Sequence, residues 1–124
     1  MKEVLVIEDN QDNMRLISYA LERSGYAVIG VKTGEEGVEL AIRERPCFII
    51  MDINLPGIDG LEATRRIRAS EADGDIPIIA ITSFAMYGDS DMVLDAGCTA
   101  YLEKPIDPLT IVENIHAAIG VKGE

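Results

Sequence analysis

Phe48-Ile49-Ile50-Met51-Asp52-Ile53-Asn54-Leu55-Pro56-Gly57 is the stretch that decides the fold of this chain. Its four consecutive apolar residues, 48–51, are typical of a strand that is buried on both faces, as strands are inside a parallel sheet. The run ends in the carboxylate of Asp52, and the Pro56-Gly57 pair then stops any regular element. Ligands of open parallel sheets bind at the carboxyl ends of the strands. Asp52 therefore either caps a turn or belongs to a functional site, depending on what other strands bring there.

The composition indicates one acidic globular domain. The chain has 124 residues, 48% of them hydrophobic, which suits a single domain over 1–124. Its 22 acidic and 11 basic residues give a net charge of −11, which argues against direct binding to nucleic acid or to an anionic membrane. No apolar run approaches the roughly 20 residues of a membrane span, and the start lacks a signal-peptide pattern. We therefore expect a cytoplasmic protein.

Apolar runs and helical patterns alternate along the chain. The predicted strands cover residues 3–7, 26–29, 48–51, 76–81 and 99–102, and a helical pattern follows each of them. Five strands alternating with five helices predict a parallel sheet with helices on both faces. The first turn, Glu8-Asp9-Asn10-Gln11, matches neither the Rossmann G-x-G-x-x-G pattern nor a P-loop. This favours a flavodoxin-like, doubly wound α/β sheet with the strand order 2-1-3-4-5.

The helical patterns also predict which side chains enter the core. The inner-face residues of the second, fourth and fifth helices are Val38, Ala41 and Ile42; Met92, Val93 and Ala96; and Leu109, Val112, Ile115 and Ile119. The last helix is predicted to begin with Asp107 as its N-cap and Pro108 as its first residue. Cys47 and Cys98 lack metal-ligand spacing, and we expect both to be buried. His116 is expected at the surface of the last helix.

In the predicted strand order, polar side chains from four strands meet at one edge of the sheet. They are Glu8, Asp9, Asp52, Thr82 and Lys104. Neighbouring carboxylates repel one another, and a hard cation such as Mg²⁺ relieves that repulsion through oxygen ligands. Acids for a metal, one further carboxylate, a hydroxyl and a lysine are the groups needed to receive a phosphoryl group. Asp52 would attack phosphorus, and Thr82 and Lys104 would hold the phosphoryl oxygens. The competing interpretation is a set of unrelated capping acids and a surface lysine.

Over essentially its whole length, the chain resembles the receiver domain of two-component response regulators. The resemblance is carried by Glu8-Asp9, Thr82-Ser83, Tyr101 and Lys104-Pro105, and most specifically by the phosphoacceptor signature Met51-Asp52-Ile53-Asn54-Leu55-Pro56-Gly57-Ile58-Asp59-Gly60. It implies that a histidine kinase or a histidine phosphotransfer protein phosphorylates Asp52, and that the product changes binding to a downstream effector protein. The chain is also similar to chemotaxis regulators, to stand-alone receivers and to the receivers of hybrid kinases.

The resemblance implies a set of metal ligands. Asp9, Asp52 and the backbone carbonyl of Asn54 would bind Mg²⁺ directly, and Glu8 would act mostly through metal-bound water. Mn²⁺ is expected to substitute for Mg²⁺. Glu8-Asp9 stands in place of the two-aspartate form of the acid pair, a familiar variation.

The resemblance also implies a switch. Thr82 and Tyr101 match the family's switch pair, and Lys104 matches its invariant lysine, whose bond to Pro105 is expected to be cis. Ser83 stands where a smaller alanine is frequent. The apolar residues after Thr82 either cover the core or form a partner-docking surface; they are Phe84, Ala85, Met86 and Tyr87.

Two further classes of function are weighed against a receiver. A phosphatase of the haloacid-dehalogenase type needs an acid two residues after its nucleophile to protonate the leaving group, and Asn54 cannot do this. A phosphate-independent adaptor would not need the complete set of acids, threonine and lysine. We therefore expect a signalling module that catalyses only its own phosphorylation and dephosphorylation. With only residues 120–124 after the last predicted helix, we expect no output domain in this chain.

Overall fold

Five strands and five helices alternate along the chain. The computed structural model of the protein describes residues 2–70, 76–83 and 89–120. The strands are β1 (Lys2–Ile7), β2 (Tyr26–Val31), β3 (Phe48–Asp52), β4 (Ile78–Thr82) and β5 (Ala100–Glu103). The helices are α1 (Gln11–Arg23), α2 (Gly34–Glu44), α3 (Gly60–Ser70), α4 (Asp89–Ala96) and α5 (Ile111–Ile119). All strands pair in parallel in the order β2-β1-β3-β4-β5, which confirms the predicted fold class and strand order.

Two hydrophobic cores lie on opposite faces of the sheet. Successive residues of a strand point to opposite faces, so Leu5 and Ile7 enter the core under α2, α3 and α4. Val4 and Val6 enter the core under α1 and α5. All five residues of β3 are buried, as are all five of β4. The continuous apolar run that suggested a central strand is therefore explained by burial on both faces.

The register places the polar strand ends at one edge. Ile7 pairs with Met51, so Glu8 and Asp52, the next residues of β1 and β3, reach the same level. Asp52 pairs with Ile81, and Thr82 pairs with Glu103. The carboxyl ends of β1, β3, β4 and β5 thus form one continuous edge.

Three side chains predicted to face the core are exposed instead. They are Ile42 (48% exposed), Met92 (53%) and Leu109 (89%). The buried residues of α2 are Gly34, Gly37 and Ala41, and Val38 packs against the core beside them as predicted, which leaves Ile42 outside. Helix α4 has eight residues and buries only Val93 and Ala96 of its predicted face.

The last helix begins later than predicted, but Asp107 makes the predicted capping contacts. The Asp107 side chain accepts a hydrogen bond from the Leu109 N–H (2.9 Å), and the Asp107 carbonyl accepts one from the Ile111 N–H (2.9 Å), as an N-cap residue does. Residues 108–110 nevertheless form a turn, so helix α5 begins at Ile111, with Thr110 as its assigned N-cap, and the prediction that Pro108 is its first residue is wrong. Leu109 lies in the turn and points to solvent.

The predicted exposure of two other side chains, Cys47 and His116, is wrong. Cys98 is buried as expected, but Cys47, at the entry to β3, is exposed. His116 is half-buried, and its Nε2 lies 2.8 Å from the Tyr26 hydroxyl. No helix in the described part of the chain has the length and apolar character needed to cross a membrane.

Candidate functional site

Buried acids define the candidate site at the carboxyl edge of the sheet. Glu8 is 1% exposed and Asp52 is 2% exposed. Glu8 is held by the chain reversal after β1, where Asn10 caps α1 and its N–H donates to Glu8 Oε2 (3.1 Å). Asp52 is held by the turn after β3, where the Asn54 N–H donates to its Oδ1 (3.1 Å). Each carboxylate is thus oriented by the backbone that leaves its own strand.

Three carboxylates share a small volume. Glu8, Asp9 and Asp52 each offer an oxygen, and these oxygens all lie within 4.8 Å of one another. Asp9 is exposed, whereas the other two are buried. Like charges at such separations disfavour simultaneous ionisation.

Lys104 is the cation that faces these acids. Its Nζ lies 3.2 Å from Asp52 Oδ1 and 3.8 Å from Glu8 Oε1. Its backbone N–H donates to the Thr82 carbonyl (2.8 Å), and its peptide bond to Pro105 is cis. The ammonium group therefore reaches the acids from the residue that follows β5, next to the end of β4.

In the part of the chain that the structure describes, the positive charge of Lys104 compensates the negative charge of these acids only in part. The pKa of Glu8 is raised from 4.5 to about 7, chiefly by burial and then by the adjacent Asp52 carboxylate. The Asn10 N–H and the Lys104 charge lower that pKa, but by less. Among the described residues, Glu8 Oε1 is a buried side-chain oxygen without a hydrogen-bond partner. A buried carboxylate oxygen without a hydrogen-bond donor, beside two further carboxylates, is part of a donor set that fits Mg²⁺.

Of the predicted switch pair, Thr82 lies at this same edge and Tyr101 lies within β5, two residues before the edge. Thr82 is 6% exposed at the end of β4, next to the strand that ends in Asp52. Tyr101 is half-buried, lies opposite Ala80 in the sheet and packs against the core under α2, α3 and α4. Asn54 is exposed beside Asp52. The proposed partner surface at 84–87 lies outside the described residues.

Two contacts at the site were missed by sequence reasoning. The first is the hydrogen bond from the Asn10 N–H to Glu8 Oε2, which forms only in one orientation of the Glu8 side chain. Glu35, in the first turn of α2, accepts a hydrogen bond from the Ile58 N–H (3.4 Å) in the loop after Asp52. An acid in a first turn usually complements the helix dipole, so the sequence carries no signal for this second contact.

The family model and the similar proteins agree on one family. The model of the response regulator receiver domain matches residues 4–116. The polar-differentiation response regulator DivK of Brucella anthropi is 41% identical over 119 residues, which cover 96% of this chain and 97% of DivK. DivK of Brucella ovis is likewise 41% identical over 119 residues, with the same shares of both chains covered.

Solved structures share both the fold and the family. The receiver domain of the sensor histidine kinase PA1611 from Pseudomonas aeruginosa PAO1 is 40% identical, with a TM-score of 0.86 over 96% of this chain and 98% of that chain. That crystal structure has a magnesium ion coordinated in its active site cleft. The chemotaxis response regulator CheY4 of Vibrio cholerae is 26% identical, with a TM-score of 0.89 over 95% of this chain and 98% of that chain.

Proposed function

This chain belongs to the response regulator receiver domain family of two-component signalling, and we therefore propose that its Asp52 accepts a phosphoryl group from a histidine kinase or a histidine phosphotransfer protein. The observation that carries this proposal is the setting of Asp52. Its carboxylate is buried at the end of a central strand, among two other acids, with Lys104 Nζ at 3.2 Å. We take residues 1–124 as one receiver domain that acts in the cytoplasm.

The phosphoryl transfer follows from the chemistry of these groups. A carboxylate oxygen of Asp52 attacks phosphorus, the bond from phosphorus to the histidine nitrogen of the donor breaks, and that nitrogen keeps the electron pair. Lys104 offsets the negative charge of the phosphoryl oxygens, and the Thr82 hydroxyl donates to one of them. The Asn54 N–H and Lys104 both contact Oδ1, so they fix the orientation of the nucleophile.

The same site would hold a divalent cation. Glu8, Asp9, Asp52 and the Asn54 carbonyl would hold Mg²⁺, which when bound supplies positive charge against the phosphoryl oxygens. The clustered carboxylates support this, as does the Glu8 oxygen that accepts no hydrogen bond from the described residues. The magnesium ion in the PA1611 receiver supports it as well. Mn²⁺ also prefers oxygen ligands, and we propose that it substitutes.

Phosphorylation would change the binding of a partner. Thr82 would move toward the phosphoryl group and Tyr101 would turn inward behind it. The face formed by α4, β5 and α5 would then bind a downstream effector protein with altered affinity. The chemistry would be limited to phosphorylation and dephosphorylation of this chain.

Labelling by a small phosphodonor tests the role of Asp52. We expect the wild type, incubated with acetyl phosphate and Mg²⁺, to gain about one phosphate by intact mass, as one nucleophile requires. Asp52→Asn should gain none, and omission of divalent metal should abolish labelling of the wild type. Asp12→Asn, at an exposed acid of α1, is the matched control and should label normally. Equal labelling of Asp52→Asn and the wild type would contradict the proposal.

A further inference from the structure

The loop between Asp52 and α3, residues 53–59, contacts α2 as well as its own neighbours. We propose that Glu35 on α2 is a positioning residue for this loop and, through it, for the metal-binding carbonyl of Asn54. The proposal rests on the function proposed above, because it concerns the affinity of that site for Mg²⁺. Glu35 would act on the backbone and would touch neither the metal nor the phosphoryl group.

Gly57 lies beside the contact between Glu35 and the loop. Glu35 Oε2 accepts a hydrogen bond from the Ile58 N–H (3.4 Å). Gly57 has a φ of +74°, and a Cβ built there would lie 2.8 Å from the same Glu35 oxygen. Gly57 therefore permits both the left-handed backbone and the approach of the carboxylate.

The first turn of α2 is packed directly on the loop. A Cβ at Gly34 would lie 2.7 Å from Ile58 Cγ1 and 2.9 Å from the Ile58 carbonyl oxygen. Thr33 fixes where α2 begins, since its side chain accepts from the Glu36 N–H (3.2 Å). Glu35 therefore projects from a fixed helix start that already contacts Ile58.

Hydrogen bonds from backbone N–H groups hold the loop near both of its ends. The Asn54 N–H donates to Asp52 Oδ1 (3.1 Å), and the Gly60 N–H donates to the Ile53 carbonyl (3.0 Å). The hydrogen bond from Ile58 to Glu35 ties the outer part of the loop to an element 23 residues away in sequence. Loss of this tie would release the outer part of the loop and thereby loosen the position of Asn54.

Three variants separate the effect of position from that of charge. Glu35→Ala removes the acceptor, Glu35→Gln removes the charge but keeps an acceptor oxygen, and Glu39→Ala removes an exposed charge elsewhere on α2. Calorimetric titration with Mg²⁺ should show about two- to tenfold weaker binding for Glu35→Ala, the range expected for one net hydrogen bond. Glu35→Gln should recover most of this loss, and Glu39→Ala should bind as the wild type does. Amide hydrogen exchange at Ile58 should be faster in Glu35→Ala only.

A double-mutant cycle adds a second readout. Gly57→Ala should also weaken Mg²⁺ binding, and its effect should shrink in the Glu35→Ala background because the carboxylate that the new methyl displaces is already gone. Wild-type affinity in Glu35→Ala, or equal loss in Glu35→Gln and Glu35→Ala, would overturn the role of Glu35 while leaving the proposed function intact. Failure of the wild type itself to bind Mg²⁺ would overturn both.

Discussion

At the amino edge of the sheet, the Tyr26 hydroxyl lies 2.8 Å from His116 Nε2, whereas at the carboxyl edge the buried Oε1 of Glu8 has no hydrogen-bond partner among the described residues. The Tyr26 ring also packs edge-on against Phe48, with 5.2 Å between ring centroids. At the carboxyl edge, three carboxylates are opposed by Lys104.

The polar groups at the amino edge stabilise the fold, whereas those at the carboxyl edge are arranged to bind a ligand. A buried hydrogen bond with both partners present adds to stability. Buried like charges lower stability, and natural proteins retain them where function requires them. Substitutions at the amino edge should therefore lower stability without affecting phosphorylation. Substitutions at the carboxyl edge should abolish or weaken phosphorylation and, without metal, raise stability.

The pH dependence of unfolding should show the largest effect. Glu8 has a pKa of about 7 in the folded protein against 4.5 when unfolded, so between these values the folded state binds more protons than the unfolded state. The contribution of Glu8 to the free energy of unfolding is therefore full below about pH 4.5 and is lost as the pH rises through about 7. The loss should reach about 3 kcal/mol. Urea unfolding in the presence of a chelator, from about pH 5 to about pH 8, measures it.

Glu8→Gln is the matched variant for this measurement. It removes the titrating group and keeps a similar side-chain shape, so its stability should fall less over the same pH range. The informative quantity is the difference between the two curves, since the other acids titrate in both proteins. Parallel curves would mean that Glu8 is not the group responsible.

At the amino edge, Tyr26→Ala should lower the free energy of unfolding by about 2 kcal/mol. The value is below that of a fully buried aromatic residue because Tyr26 is half-buried. Tyr26→Phe keeps the packing on Phe48, loses only the hydrogen bond to His116 and should lose about 1 kcal/mol. Urea unfolding gives these values. Labelling of Asp52 by acetyl phosphate, measured well below the unfolding transition, should be unchanged in both variants, and a parallel loss of labelling would show that the two edges are coupled.

The central strands were predictable because burial on both faces leaves an uninterrupted apolar run. Residues 48–51 carry that signal, and their position in β3 follows from it. The side-chain faces of the helices were less predictable because glycine contributes no apolar signal. A Cβ at Gly37 would lie 2.7 Å from Ile7 Cγ1, so close packing of α2 on β1 selects glycine at the inner face. An apolar-periodicity argument passes over Gly37 and adds Ile42, which is exposed, to the inner face.

The candidate site also has features that the sequence predicts and features that it does not. The convergence of Glu8, Asp52 and Lys104 follows from topology, because parallel strands end at a common edge. That Glu8 Oε1 accepts no hydrogen bond from the described residues depends on the rotamer of Glu8. The contact of Glu35 with Ile58 depends on packing between elements distant in sequence. Neither feature leaves a periodic pattern in a single sequence, so neither could be predicted from it.

The smallest effect is expected for the stability of Asp52→Asn. Without divalent metal at about pH 8, the substitution removes one charge from the buried acid cluster and should raise the free energy of unfolding by about 1 kcal/mol. The gain is limited because the ion pair of Asp52 with Lys104 (3.2 Å) is lost as well.

Urea unfolding with and without Mg²⁺ tests the sign of this stability change. Binding to the folded state stabilises the wild type by about 2.7 kcal/mol at a Mg²⁺ concentration one hundred times the Kd. Added Mg²⁺ should therefore reverse the order of the two proteins. A metal-free Asp52→Asn less stable than the wild type would instead show that Asp52, like Tyr26, is a net stabilising partner.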